Sequence, residues 1–211
     1  FSAATLAFLL PLGGQARELL AALRDPRLMR LLLPAALLLF GNWFAYVLAV
    51  TGGNALDASL GYFMCPLVMV ALGVVALGER LSTLQSVAVA LVVLAIALLV
   101  GAAGVMPKIA IFLAVSFGIY GLLRKRAAVG AVVGLLIECL LTVPLAVALL
   151  LWVAHRDGLG FPSGRTGFDL LVLVSGAVTV APLVLFGYGA RRLRLSTVGL
   201  LQYIAPSMIF V

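Results

Sequence analysis

The chain has 211 residues, of which 65% are hydrophobic and only 10% charged, and its mean hydropathy is +1.29. That mixture excludes an ordinary soluble domain. The net charge of +7 does not point to nucleic acid, because no basic, aromatic-bearing soluble domain is present to use it.

A hydrocarbon core about 30 Å thick takes about 20 helical residues to cross, and backbone polar groups in lipid must be satisfied within the segment, so apolar runs of this length read as helices. In chain order the sequence predicts a partial span at 1–12 and a basic segment at 13–30. Full spans follow at 31–50, 56–77, 83–101, 107–123, 131–153 and 169–189, then a second partial span at 196–211. The expected fold is an all-α, polytopic membrane helix bundle with about six complete helices and two partial ones. The chain begins at Phe1 and stops in SMIFV, within an apolar run, which reads as a fragment clipped inside a helix at each end. The first dozen residues lack the basic n-region and small-residue cleavage site of a signal peptide. Cys65 and Cys139 fall inside spans with neither a zinc spacing nor a disulfide framework, and read as buried apolar cysteines. No metal or cofactor is expected.

The connectors alternate in charge. One set, 13–30, 78–82, 124–130 and 190–195, holds eleven of the fourteen basic residues. The other, 51–55, 102–106 with Lys108 at the helix edge, and 154–168, holds three. Such asymmetry in short loops places the first set in the cytoplasm.

A gapless shift of 140 residues brings Tyr46 onto Phe186, Leu60 onto Leu200, Phe63 onto Tyr203 and Pro66 onto Pro206. Five spans separate the copies, and an odd offset turns the second copy upside down. Hence TGGNALD (51–57) faces outward while its counterpart RRLRLST (191–197), with three arginines, faces inward. Inverted repeats are a recurring plan of secondary transporters, which bind solute near the midplane between the halves. Five helices per repeat give ten in a complete protein, of which this sequence would lack the first, part of the second, part of the ninth and the tenth.

Ionisable groups within a bilayer are costly and face a cavity or a partner. Glu138, about two turns into the 131–153 span, is the one acid so placed. It is the expected cavity carboxylate and proton-coupling residue, because desolvation makes its neutral form accessible; the alternative is a structural carboxylate satisfied by a neighbouring helix. Asn42, Trp43 and Tyr46 on one span, Tyr62 on the next, and Gln202 and Tyr203 on its repeat partner supply the amide and aromatic groups of a mostly apolar pocket. Taken singly, each also suits helix-to-helix hydrogen bonding or an interfacial belt. Pro66 and Pro206 remove backbone donors at matching depths, kinking or loosening their helices. GAVVG (130–134) suits close packing within the bundle more than a dimer face. In GER (78–80) the glycine ends a helix and the arginine holds the inner surface. His155 reads as a solvated residue of an outer loop.

GNWFAYVLAV (41–50), DASLGYFMCPLV (57–68), LGER (77–80), SFGIYGLLRKRAAV (116–129), GLLIE (134–138) and RLRLSTVGLLQYIAPS (192–207) together resemble the RarD family, permeases of the EamA group in the drug/metabolite transporter superfamily. Asp57 stands where that family is expected to carry glutamate. The resemblance implies ten helices, cytoplasmic termini, a multi-pass place in the bacterial inner membrane and export of a small molecule. It divides the chain into residues 1–101, the remainder of a first EamA-type repeat from the end of helix 2 to helix 5, and 102–211, a second repeat from helix 6 to part of helix 9. The function expected is efflux of a small amphipathic metabolite or drug by alternating access, with protons as a further partner through Glu138. The alternatives are an amino-acid or other metabolite exchanger of the same superfamily, or a non-transporting interaction subunit. The oligomeric state is left open. An intramembrane enzyme would need a metal cluster, an aspartate pair or a Ser/His arrangement near the membrane, and the sequence offers a single histidine and no HExxH; no enzyme is expected.

Overall fold

The computed structural model describes residues 2–12, 15–103, 106–157, 164 and 166–204. Among these there is no strand. The helices are α1 (Ser2–Leu12), α2 (Ala16–Arg24), α3 (Pro26–Thr51), α4 (Ala55–Leu77), α5 (Thr83–Ala103), α6 (Lys108–Arg126), α7 (Ala131–Asp157), α8 (Thr166–Arg192) and α9 (Leu195–Leu201). Five of them, α3, α4, α5, α7 and α8, are long and apolar enough to cross a membrane. The fold is an all-α polytopic membrane bundle.

Helix bounds follow the sequence signals closely. Gly78 stops α4 in the left-handed region (φ 65°), its N–H returning to the Gly73 and Val74 carbonyls, as a glycine C-cap does. Pro34, Pro66, Pro144 and Pro182 all lie inside helices. Each removes a ladder donor, yet α4 runs on through a buried Pro66. Pro206 lies outside the described residues. The 140-residue offset reappears in the element bounds: α3 begins at Pro26 and α8 at Thr166, α4 at Ala55 and α9 at Leu195.

The chain forms two compact units, Phe1–Ala36 with Ala127–Tyr188, and Leu37–Arg126 with Gly189–Val211. Both draw on both sequence halves. In the first, α1 and α2 pack on α7, and Ala22, Leu28, Leu32, Ala127, Val129, Val133 and Ile137 form a core. The Gly130 N–H, just before α7, donates to Glu18 Oε1 at 2.6 Å, so the basic segments 13–30 and 124–130 meet at one end, as their shared charge class requires.

In the second unit α4 is the centre, packed along α6 and α9. Asp57 accepts the N–H groups of Ile109 and Ala110 at one end of α4, and at the other Arg126 Nη2 donates to the Ala76 carbonyl, so α4 and α6 run parallel. Small residues permit the close approach: a methyl group added at Gly61 would lie 3.1 Å from Leu113 Cβ, and one at Gly118 2.5 Å from Val68 Cγ1. Against α9 the order reverses. Tyr203 meets Phe63, Gly199 meets Pro66 and Met69, and Ser196 meets Glu79. Helices α4 and α9 are therefore antiparallel.

Candidate solute-contacting site

On α3, Asn42 sits where its side chain crosses to α6: Nδ2 donates to the Leu113 carbonyl at 2.9 Å and to Ser116 Oγ at 2.8 Å. Its amide nitrogen thus tethers two helices. Ser116, nearly fully buried, hands its own hydroxyl proton to the Phe112 carbonyl at 2.6 Å.

Trp43 and Tyr46 are three residues apart, so they lie on neighbouring positions of one helix face, and their rings meet edge to face at 6.4 Å. Tyr46 in turn meets Tyr62 of α4 edge to face at 5.6 Å. The three sequence-predicted aromatics form one row, with Trp43 and Tyr62 exposed at its ends. Edge-to-face packing is a preferred geometry of aromatic pairs. One residue beyond Tyr62, the Phe63 carbonyl accepts the Tyr203 hydroxyl at 3.0 Å. Gln202 closes α9, its N–H returning to Val198 and Gly199 carbonyls. Asn42, Trp43, Tyr46, Tyr62, Gln202 and Tyr203 all belong to the second unit.

Glu138 belongs to the first unit. It is 2% exposed, the last residue of the buried run that begins at Val133 on α7, and its carbonyl accepts the Thr142 hydroxyl at 3.1 Å. Full burial fits both expectations for this residue, cavity carboxylate and structural carboxylate. Cys65 is buried and Cys139 partly so, both as free thiols. His155 is exposed, but on the last turn of α7 rather than in a loop.

Sequence reasoning missed Arg124. It was counted with a basic inner loop, yet it occupies the last turn of α6 and is 1% exposed. Position at a span end says nothing of which way a terminal turn faces, and only packing decides it. The roles of Glu18, Asp57 and Glu79 were missed too. Each accepts N–H groups at the start of a helix distant in sequence: α7 for Glu18, α6 for Asp57 and α9 for Glu79. Negative charge is favoured there by the unsatisfied donors and the helix dipole. The sequence signal was the placement of acids in connectors rather than spans.

These features define an all-α, polytopic membrane protein. The chain is 42% identical over 206 residues to an uncharacterized transporter of Vibrio cholerae, covering 98% of this chain and 68% of that protein. It is 40% identical over 203 residues to Protein RarD of Salmonella typhimurium, covering 96% and 69%, and 43% identical over 174 residues to the uncharacterized transporter YojE of Bacillus subtilis, covering 82% and 58%. The chain belongs to the RarD family of membrane transporters, and it spans between 58% and 69% of the length of these relatives. No family model matches the chain, and no solved structure matches it.

Proposed function

We propose that this chain is the larger part of a bacterial inner-membrane permease that exports a small amphipathic solute by alternating access between two inverted repeats, residues 1–101 and 102–211. The observation that carries the reading is the hydrogen bond from Tyr203 to Phe63, residues that are counterparts under the 140-residue shift. Where two repeats are related by a two-fold axis in the membrane plane, a contact between counterparts falls beside that axis. There, near the midplane, transporters of this plan hold their substrate. The row Trp43, Tyr46 and Tyr62 adjoins this contact.

Aromatic faces with a few polar anchors suit a neutral, zwitterionic or weakly cationic solute. Glu138, a buried carboxyl within a span, is the group that exchanges a proton during the cycle, since ionisable residues inside a membrane commonly serve proton relays. The test is flux in sealed vesicles of the protein expressed from its native gene, across a panel of amphipathic solutes with and without a pH gradient. Proton-dependent efflux that E138Q uncouples, with Y62A and Y46A raising the solute concentration needed, is the expected outcome. Flux and pH dependence unchanged by E138Q would remove the proton role, and flux indifferent to both tyrosines would remove the site.

A further inference from the structure

Helix α2 is too short to cross a membrane, and its three strips of side chains have three different characters. With about 100° between successive residues, Glu18, Leu19 and Ala22 share the strip turned to the protein: Ala22 and Leu19 join the core of the first unit, and Glu18 accepts the Gly130 N–H. Ala16, Leu20 and Leu23 share a second strip, where Leu20 is 58% and Leu23 43% exposed. Arg17 and Arg24, seven residues apart and both exposed, share the third, and exposed Arg27 and Arg30 follow on α3.

Water on all sides would leave the two leucines without a reason to be there, while burial in hydrocarbon would strand the arginines. An arrangement with one strip on the protein, one apolar and one cationic matches a helix lying in the plane of the membrane interface. Four arginines, Arg17, Arg24, Arg27 and Arg30, face two acids, Glu18 and Asp25, over this stretch. Glu18 is directed to the start of α7, and Asp25 Oδ1 accepts the Arg27 and Leu28 N–H groups at 2.8 and 3.4 Å. Among the described residues neither Arg17 nor Arg24 has an acidic partner.

We propose that α2 is an interfacial anchor that binds the anionic phospholipids of the inner leaflet, Leu20 and Leu23 entering the acyl boundary while Arg17 and Arg24 take the headgroup phosphates.

The test places a fluorophore at L20C, with Cys65 and Cys139 replaced by serine, in the protein expressed from its native gene and reconstituted in phosphatidylcholine containing a minor fraction of phosphatidylglycerol. Quenching is read with one lipid at a time brominated on its acyl chain. Brominated phosphatidylglycerol is expected to quench more per molecule than brominated phosphatidylcholine. R17Q and R24Q should each reduce that preference about fivefold, and added salt should reduce it further. Equal quenching by the two lipids overturns the proposal, as does a preference that survives both substitutions or a probe reached by aqueous iodide and by neither lipid.

Discussion

Glu79 gathers three hydrogen bonds at the start of α9. The Leu195 N–H donates at 2.7 Å, the Ser196 N–H at 2.8 Å and the Ser196 hydroxyl at 2.7 Å, with Lys125 Nζ at 4.0 Å. Partial burial pushes its carboxyl pKa up, but the bonds from Ser196 and Leu195 and the lysine charge outweigh this and hold it below the ordinary carboxylate value. A group with a depressed folded pKa contributes its stabilisation above the unfolded value and loses it as pH falls through the folded one. The start of α9 is therefore capped at neutral pH and released only in acid. Losing a cap of this kind costs about 1 to 2 kcal/mol. E79Q should accordingly speed amide exchange at Leu195 and Ser196 about five- to thirtyfold at neutral pH and abolish the acid-dependent step expected of the parent protein. Unchanged exchange would show that the cap is not what orders this turn. None of this was visible in the string GER, whose glycine and arginine could be interpreted from local rules while its glutamate could not, because its hydrogen-bond partners lie more than a hundred residues away. Asn42 teaches the same lesson from the other side. Its polarity within a span was legible, but the choice between a solute and Leu113 depended on where α6 lies.

At the scale of helices, α4 takes its place through small residues on two faces. Gly199 on α9 is the tightest point against backbone: a methyl group there would lie 2.8 Å from the Pro66 carbonyl oxygen and 3.1 Å from Met69 Cβ. Backbone cannot swing aside as a side-chain tip can, and overpacking of this kind costs about 1 to 3 kcal/mol. G199A is expected to lower the thermal stability of the detergent-solubilised protein clearly, whereas G101A, within α5 and with open space around it, should leave it no lower and slightly raise it; equal losses would contradict the packing described. Helix type and extent were largely legible. The predicted span 56–77 became Ala55–Leu77, 83–101 became Thr83–Ala103 and 131–153 became Ala131–Asp157, because twenty apolar residues permit little but a helix. Helix α2 was not legible as an element. Its nine residues are fewer than a span requires, and its arginines placed it with the inner connector to which it is joined.

Across the whole molecule, charge and packing agree within each unit. In the second, the segment after α4 and the basic ends of α6 and α8 converge. Lys125 Nζ donates to the Ala190 carbonyl at 3.3 Å and to that of Leu193, and Arg194 Nη1 donates to the Arg80 carbonyl at 3.3 Å. Asp57 and the start of α6 lie at the opposite end. Within each unit, the connectors sorted as inner by counting lysine and arginine are the ones that touch one another, as a single membrane face requires. The repeat was legible only as a faint echo, since apolar helices match each other readily; two pairs of helix starts share its 140-residue spacing, and the inversion itself is the part of the proposal that topology must test. Asn54 and Arg194 are the N-caps of these two helices and stand 140 residues apart, so they are counterparts that inversion must send to opposite faces. Both are exposed. In cells expressing the protein from its native gene with Cys65 and Cys139 replaced by serine, a membrane-impermeant thiol reagent added outside should label N54C and leave R194C untouched until the cells are opened. Labelling of both from the same side would contradict the inverted architecture.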